Sequence, residues 1–384
     1  MHVLAILFFG FIASAWILYG SKVAYGDLRL PWVKDFAPLR DDECPPVSII
    51  FAARNEEEKL ASALATLVAI DYPNLQIIAV DDRSTDSTAR ILDEFDTRHL
   101  RLKAVHIKEL PPGWLGKPHA LLKGYEVSTG ELIVFTDADV KFTSDSLRRI
   151  VGLFRAQKLD HLALLGDVER SGFWDTVLIS FFAMGFQFAT DPYSVSNPNS
   201  RSYLGVGAFQ MLRREAYEAC GTHRRLAMEV VDDMKLGKIV KLARLRSAVA
   251  VATSFVSVAW HLGLDNLVRG TEKNFFAGAQ FRIATAAQQI LGLVVMNVLP
   301  LFGVIFGNGW TRALAAVALA AGMAFHFGVD VVMRISPLYC LTLPLGALIF
   351  SYMILRSTVV TVRQGGIVWR DTFYPLDELR RGLV

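Results

Sequence analysis

Asp137 and Asp139 stand two residues apart at the end of an apolar run, in ELIVFTDADV. Side chains at i and i+2 of an extended chain point the same way, so both carboxylates can reach one Mg2+ or Mn2+ that also holds a diphosphate. Taken alone, the triplet equally suits an acidic turn or a helix start. Three other places carry compatible chemistry. Asp82 closes the apolar part of LQIIAVDDRSTDST, and Lys117 opens a helical pattern in GWLGKPHALLKG, where an ammonium and free backbone N–H groups can meet phosphate. Asp232 and Asp233 form an acidic pair in EVVDDMKLG. A carboxylate there can accept the proton of an attacking hydroxyl, with the neighbouring like charge raising its pKa. The same pair also complements the N-terminus of the helix MKLGKIVKLA.

Chemistry of this kind needs a frame that gathers the groups. PPVSIIFAARNEEEKLASALATLV reads as a buried strand, Val47 to Ala53, then a helix with Asn55 as N-cap, Glu56, Glu57 and Glu58 in its first turn, and Leu60, Leu64 and Leu67 on its apolar face. LQIIAVDD is a second buried strand, followed through Ser84, Thr85 and Asp86 by a helix opening near Ser87. Strand, helix and strand in succession predict an α/β fold with a mostly parallel sheet. Ligands of such sheets gather at the carboxyl ends of the strands, where Ala53, Arg54, Asp82, Asp137 and Asp139 all fall.

FAARNEE, VDDRSTDST, GWLGKPHALLKG, TDAD, GVGAFQMLRREAYEACG and VDDMKLG resemble, in order and spacing, the family 2 inverting glycosyltransferases of the GT-A (Rossmann-like) fold. The resemblance runs from about residue 46 to about residue 275, and is greatest to membrane-anchored, lipid-modifying members: those associated with hopanoid and carotenoid biosynthesis, and the ceramide glucosyltransferases. It implies a nucleotide-sugar donor, UDP-linked, and a divalent metal, Mg2+ or Mn2+. Asp82, with Ala53 and Arg54 beside it, would meet uracil or ribose; Asp139 would bind the metal directly; Asp137 would contact sugar or ribose as well as metal. Lys117 would bind the donor. Asp233 matches the family's catalytic base, with Asp232 orienting it. Other roles stay open at this point: Asp82 as a cap on the turn at Ser84, Arg54 as a surface partner of Glu57 or Glu58, and Lys117 as a solvated lysine.

Composition points to a membrane protein. The 384 residues are 53% hydrophobic with a mean hydropathy of +0.36, too apolar for an ordinary soluble domain, yet 20% are charged and these concentrate in the middle. MHVLAILFFGFIASAWILYG carries no Lys or Arg and is followed by Lys22, Arg29 and Lys34, as in a retained signal anchor with its N-terminus outside. ILGLVVMNVLPLFGVIF, LAAVALAAGMAFHFGVDVV and LYCLTLPLGALIFSYMIL read as three further spans. Three crossings would put the tail opposite a cytoplasmic catalytic domain, whereas Arg363, Arg370, Arg380 and Arg381 argue for keeping it on the same side. One segment is then re-entrant or interfacial, with Asp330 and Arg334 marking the irregular place. The expected plan is an anchor at 1–21, a GT-A domain at 46–260, an amphipathic interfacial helix at 261–286, two to three spans within 287–362, and a basic tail at 363–384. The expected location is the inner (cytoplasmic) membrane, with the catalytic domain facing the cytoplasm.

Cys44, Cys220 and Cys340 show no C-x-x-C spacing, so neither a zinc site nor a disulfide framework is read. A net charge of +3 with scattered basic residues excludes nucleic acid as the expected partner and leaves anionic lipid. SGFWDTVLISFFAMGFQFAT is either an interfacial helix that admits a lipid hydroxyl or a buried core helix; Trp174 within it, with Gly205 and Gly207 of YLGVGAF, is assigned to the acceptor region. The Q-x-x-R-W motif of polymerising members is absent after Asp233. In its place stands HLGLDNLVRGTEKNFFAGAQFR, where Arg269 and Lys273, four apart, share a helical face and serve either diphosphate or lipid phosphate. Metal-dependent transfer of one sugar to a lipid hydroxyl is therefore expected. The alternatives are a processive polysaccharide synthase, a polyprenyl-phosphate glycosyltransferase, and a non-catalytic membrane scaffold that retains the fold.

Overall fold

A computed structural model describes residues 2–258 and 263–384. The chain divides into two compact units. One comprises Leu30–Glu169, Pro192–Ala259 and Asp377–Val384, and the other Met1–Arg29, Arg170–Asp191 and Trp260–Leu376. Two features of this division differ from the sequence expectation: Arg170–Asp191 leaves the middle of the catalytic segment for the apolar unit, and the last eight residues join the catalytic unit. The boundary expected at 260/261 lies outside the described residues.

The catalytic unit is built on ten strands: β1 (Val47–Ala53), β2 (Leu75–Asp82), β3 (Leu102–Ile107), β4 (Leu132–Asp137), β5 (Val140–Phe142), β6 (His161–Leu165), β7 (Asp167–Val168), β8 (Gln210–Arg213), β9 (Ser247–Val251) and β10 (Val256–Val258). Seven form a sheet in the order β3-β2-β1-β4-β8-β6-β9, all parallel except β8, which runs antiparallel to β4 and β6. A smaller sheet has the order β5-β10-β7. The central strands read as unbroken apolar runs because both faces are covered: Val47, Ile49 and Phe51 enter one core, and Ile50, Ile78 and Ile133 enter the other. Gly124 lets the helix Gly116–Glu126 close on the second face, since a Cβ there would collide with Ile50 Cγ2.

Register brings the strand ends level. Ala53 pairs with Asp81, and Ala52 with Asp137, so β1, β2 and β4 finish on one line. The loops after β1 and β2 are stitched together. Asn55 N–H donates to Ser84 Oγ at 3.1 Å, Glu56 N–H to Thr88 Oγ1 at 2.8 Å, and Thr85 N–H to Asn55 Oδ1 at 2.8 Å. Asn55 therefore does not cap the following helix as expected. It takes a left-handed backbone (φ 53°) and spends its side chain on the neighbouring loop, leaving Glu56 at the cap position of Glu57–Val68. The helix expected near Ser87 runs Thr88–Arg98 with Ser87 at its cap position.

The other unit is helical. Four of its segments are long and apolar enough to cross a membrane: His2–Asp27, Ile283–Phe306, Gly309–Val332 and Pro337–Gln364. The stretch first read as interfacial or core forms the helix Phe173–Thr190. Ser180 on it meets two groups of Gly309–Val332: His326 Nε2 lies 2.6 Å from Ser180 Oγ, which donates to Asp330 Oδ1 at 2.6 Å, and all three are buried. Arg334 takes a left-handed backbone (φ 55°) just past the end of that helix. The expected interfacial helix is two short helices, Leu264–Gly270 and Glu272–Gly278, separated by Thr271. A hairpin of β11 (Gly366–Trp369) and β12 (Thr372–Pro375) follows the last long helix.

Candidate active site

Asp137 is the last residue of β4, and Asp139 follows in the turn before β5 rather than along an extended strand. The turn still brings the two carboxylates within electrostatic reach. Burial first, and then the charge of Asp137, push the Asp139 carboxyl up to about 6, against the opposing pull of Lys59, whose Nζ lies 3.7 Å from Asp139 Oδ2. Crowded carboxylates of this kind fit a divalent cation. Among the described residues no cluster of three or more His, Cys, Asp or Glu side chains is arranged to hold an ion. The protein would thus supply two oxygen-donor groups and leave the remaining positions to water and phosphate, the usual manner of Mg2+ and a manner open to Mn2+.

Lys117 lies one residue inside the N-terminus of the helix Gly116–Glu126 and reaches both acidic pairs. Its Nζ is 2.7 Å from Asp137 Oδ1 and 3.9 Å from Asp232 Oδ1. Burial alone would lower its pKa, but Asp137, Asp232 and Asp233 raise it well above the ordinary lysine value, so the group is a fixed cation.

Asp232 and Asp233 open the helix Asp232–Leu242. Asp232 is buried, whereas Asp233 is half-buried and accepts the Met234 N–H on Oδ1 at 2.7 Å. Its Oδ2 faces Gly207. A Cβ on Gly207 would lie 2.6 Å from Asp137 Oδ2 and 3.0 Å from Asp233 Oδ2, so the strand-end carboxylate and the helix-start carboxylate meet across a single glycine. Gly205 performs the same service for the backbone, which would collide with Asp233 C=O if a side chain were present.

Asp82 is buried and held bidentately by Arg83, Nε to Oδ1 at 2.8 Å and Nη2 to Oδ2 at 3.1 Å. The backbone of Gly116 covers it so closely that no side chain fits there. Ala53 is buried at the end of β1, and Arg54 lies half-buried in the loop beyond.

The catalytic unit thus brings together Asp82, Lys117, Asp137, Asp139, Gly205, Gly207, Asp232 and Asp233. Trp174, Arg269 and Lys273 belong to the helical unit. Trp174 is exposed beside Phe173, Arg269 pairs with Asp265 at 3.1 Å, and Lys273 donates to Asn274 Oδ1 at 2.9 Å with its Nζ 4.0 Å from the centre of the Trp369 ring. Lys59 and Arg83 were not singled out from the sequence. Arg83 follows the acidic pair of the VDDRS motif, which could have flagged it, whereas nothing local separates Lys59 from any first-turn lysine.

The Glycosyl transferase family 2 profile matches residues 48–221, which hold all of β1 but Val47, together with β2, β4 and the glycine at 207. A beta-monoglucosyldiacylglycerol synthase of Nostoc sp. is 30% identical over 185 residues, taking in 46% of this chain and only 37% of that protein. A 4,4'-diaponeurosporenoate glycosyltransferase of Staphylococcus aureus is 23% identical over 340 residues, covering 86% of this chain and 89% of the other. Among solved structures, a mannosyltransferase from Pyrobaculum calidifontis in complex with GDP-Man and Mn2+ superimposes with a TM-score of 0.54 at 20% identity, over 94% of this chain and 97% of that one. The last comparison bears on fold alone, a mostly parallel α/β fold of GT-A type, and the first shows residues 48–221 to be similar to the family 2 glycosyltransferases, a span that takes in Asp82, Lys117, Asp137, Asp139 and Gly207 and ends before Asp232 and Asp233.

Proposed function

We propose that the chain is a membrane-bound inverting glycosyltransferase that moves one sugar from a UDP-linked donor to a lipid hydroxyl. The observation that carries this reading is the approach of Asp137 and Asp233 across Gly207, which sets a donor-side carboxylate opposite a carboxylate able to act as base. Asp233 Oδ2 accepts the proton of the acceptor hydroxyl while its oxygen attacks the anomeric carbon from the side opposite the diphosphate. Asp232 and Lys117 hold the base segment and the donor end in register. Asp139 and Asp137 are the residues to hold Mg2+ or Mn2+, which when bound neutralises the departing diphosphate. Asp82, Ala53 and Arg54 form the nucleoside end. The lipid acceptor is supported by the relatives named above, one a synthase of beta-monoglucosyldiacylglycerol and the other a glycosyltransferase of 4,4'-diaponeurosporenoate, and by the apolar helices.

The site would lie on the cytoplasmic face of the inner membrane. Residues 377–384 fold with the catalytic unit, which supports an even number of crossings between residues 263 and 376. Three helices there are long enough to cross, and Pro337–Gln364 is the one that turns back. Leu343 packs beside Gly322, midway along the preceding helix, while Arg356 near its other end pairs with Glu272 at 2.7 Å. Trp174, Arg269 and Lys273 would then meet acceptor lipid or phosphate at the headgroup level.

The experiment is a donor screen on the full chain in lipid nanodiscs with Mn2+ or Mg2+, scoring nucleoside diphosphate release and labelled-sugar transfer into total bacterial lipid. Metal-dependent transfer into one extractable neutral lipid is the expected result. A polymer or a lipid phosphate sugar would replace the acceptor assignment, and the absence of nucleotide binding would sink the reading.

A further inference from the structure

We propose that the tail, residues 377–384, is a positioning segment for the catalytic base, with Glu229 and Lys235 as its receptors; this rests on the assignment of Asp233 as base. Glu229 and Lys235 are both buried and pair at 3.1 Å, and between them in sequence stand Asp232 and Asp233. The main chain of Val384 joins the pair. Its N–H donates to Glu229 Oε1, and its main-chain oxygen accepts from Lys235 Nζ at 2.7 Å and from Lys238 Nζ at 2.7 Å. The rest of the tail is seated too: Leu379 is fully buried, Gly382 lies against Met228 so closely that a side chain would collide, and Val384 packs on the core formed by Leu226, Leu236, Ile239 and Val240.

A buried lysine–glutamate pair contributes little net stability unless its remaining donors and acceptors are satisfied. Here the tail supplies both missing partners, a donor for Glu229 and an acceptor for Lys235. Its contacts fall at residues 228 and 229 before the acidic pair and at 235 and 238 after it, so they fix both flanks of the turn that presents Asp233. Loss of the tail leaves the buried Glu229–Lys235 pair short of one donor and one acceptor beside the base. A base displaced by about 1 Å loses on the order of a hundredfold in rate.

The test compares the full chain with one lacking residues 377–384, both in nanodiscs, by hydrogen exchange across 229–242 and by kinetics with UDP-sugar and lipid. Exchange there should rise at least about tenfold, and kcat should fall by about tenfold or more with UDP affinity unchanged, the signature of a transition-state interaction. A peptide of residues 377–384 added in trans should restore both. Glu229→Gln, which keeps an acceptor for the Val384 N–H but removes the charge, is the milder variant if the truncated chain does not fold, and should show the same split in smaller degree. Unchanged exchange, or UDP affinity lost in step with kcat, overturns the proposal. Transfer that survives Asp233→Asn would instead remove the base assignment, a result that the exchange measurement does not depend on.

Discussion

Replacing Asp139 by asparagine should make the metal-free protein more stable while removing its response to metal. In the folded protein the carboxyl is held at about 6, above its ordinary value of 3.8, chiefly by burial and by Asp137. Both folded and unfolded forms are ionised at pH 7, and ionisation is the harder in the folded one, so the charge opposes folding. At 1.36 kcal/mol per pKa unit the penalty is at most about 3 kcal/mol, and water reaching the partly open side chain brings it to roughly 1–2 kcal/mol. The penalty is present in full above pH 6 and fades as the pH falls through 6 towards 3.8. In EDTA at pH 7.5, Asp139→Asn should therefore melt about 3–6 °C above wild type, and the gain should vanish by about pH 4. Adding Mn2+ with UDP should raise the melting temperature of wild type and leave the variant unmoved. Differential scanning fluorimetry in nanodiscs reads both effects. A variant that melts below wild type in EDTA, or one that keeps the Mn2+-dependent shift, refutes the reasoning.

Gly207→Ala should fold normally yet lose about a hundredfold or more in kcat, since its methyl would enter the space between Asp137 Oδ2 and Asp233 Oδ2; a steady-state assay with near wild-type rates would mean the two carboxylates do not act together. Asp233→Asn should retain metal-dependent UDP binding by calorimetry and lose transfer, and measurable turnover at wild-type rate removes it as base. Ser180→Ala should cost about 1–3 kcal/mol by leaving His326 and Asp330 without their shared hydroxyl, visible as a lower melting temperature; an unchanged value would show that water takes its place. His106 lies 3.2 Å from Asp81 and 2.8 Å from Asp93, and although burial works against it these carboxylates raise its pKa. Its contribution to stability is complete below pH 6.5 and is lost as the pH rises through the raised value, so His106→Asn should destabilise more at pH 6 than at pH 9 in paired melts.

Much of the sheet is legible in the sequence because β1, β2 and β4 are covered on both faces and so appear as unbroken apolar runs ending in Ala53, Asp82 and Asp137. What escapes is whatever depends on partners distant in sequence. Asn55 looks like a cap until the loop after β2 is seen to take its side chain. Arg269 and Lys273 share a helical spacing, but Thr271 ends one short helix and precedes the next. Lys59 pairs with a carboxylate eighty residues further along the chain, and no local pattern marks it. The tail shows only three apolar residues, Leu379, Leu383 and Val384, after and among charges, a pattern that reads as solvated until Glu229 and Lys235 are found beneath it.

The pairings around Lys117 also determine the charge of the cleft. Asp137, Asp139, Asp232 and Asp233, with Glu56 near Asp139, stand against the ammonium groups of Lys59 and Lys117 among the described residues. The four aspartates alone, against two positive charges, leave an electrostatic deficit of at least two, the charge of one divalent cation. A nucleoside diphosphate approaching without that cation meets net repulsion from the cleft, and one arriving as its metal complex does not. On the proposed assignment, metal should therefore load with or before the donor.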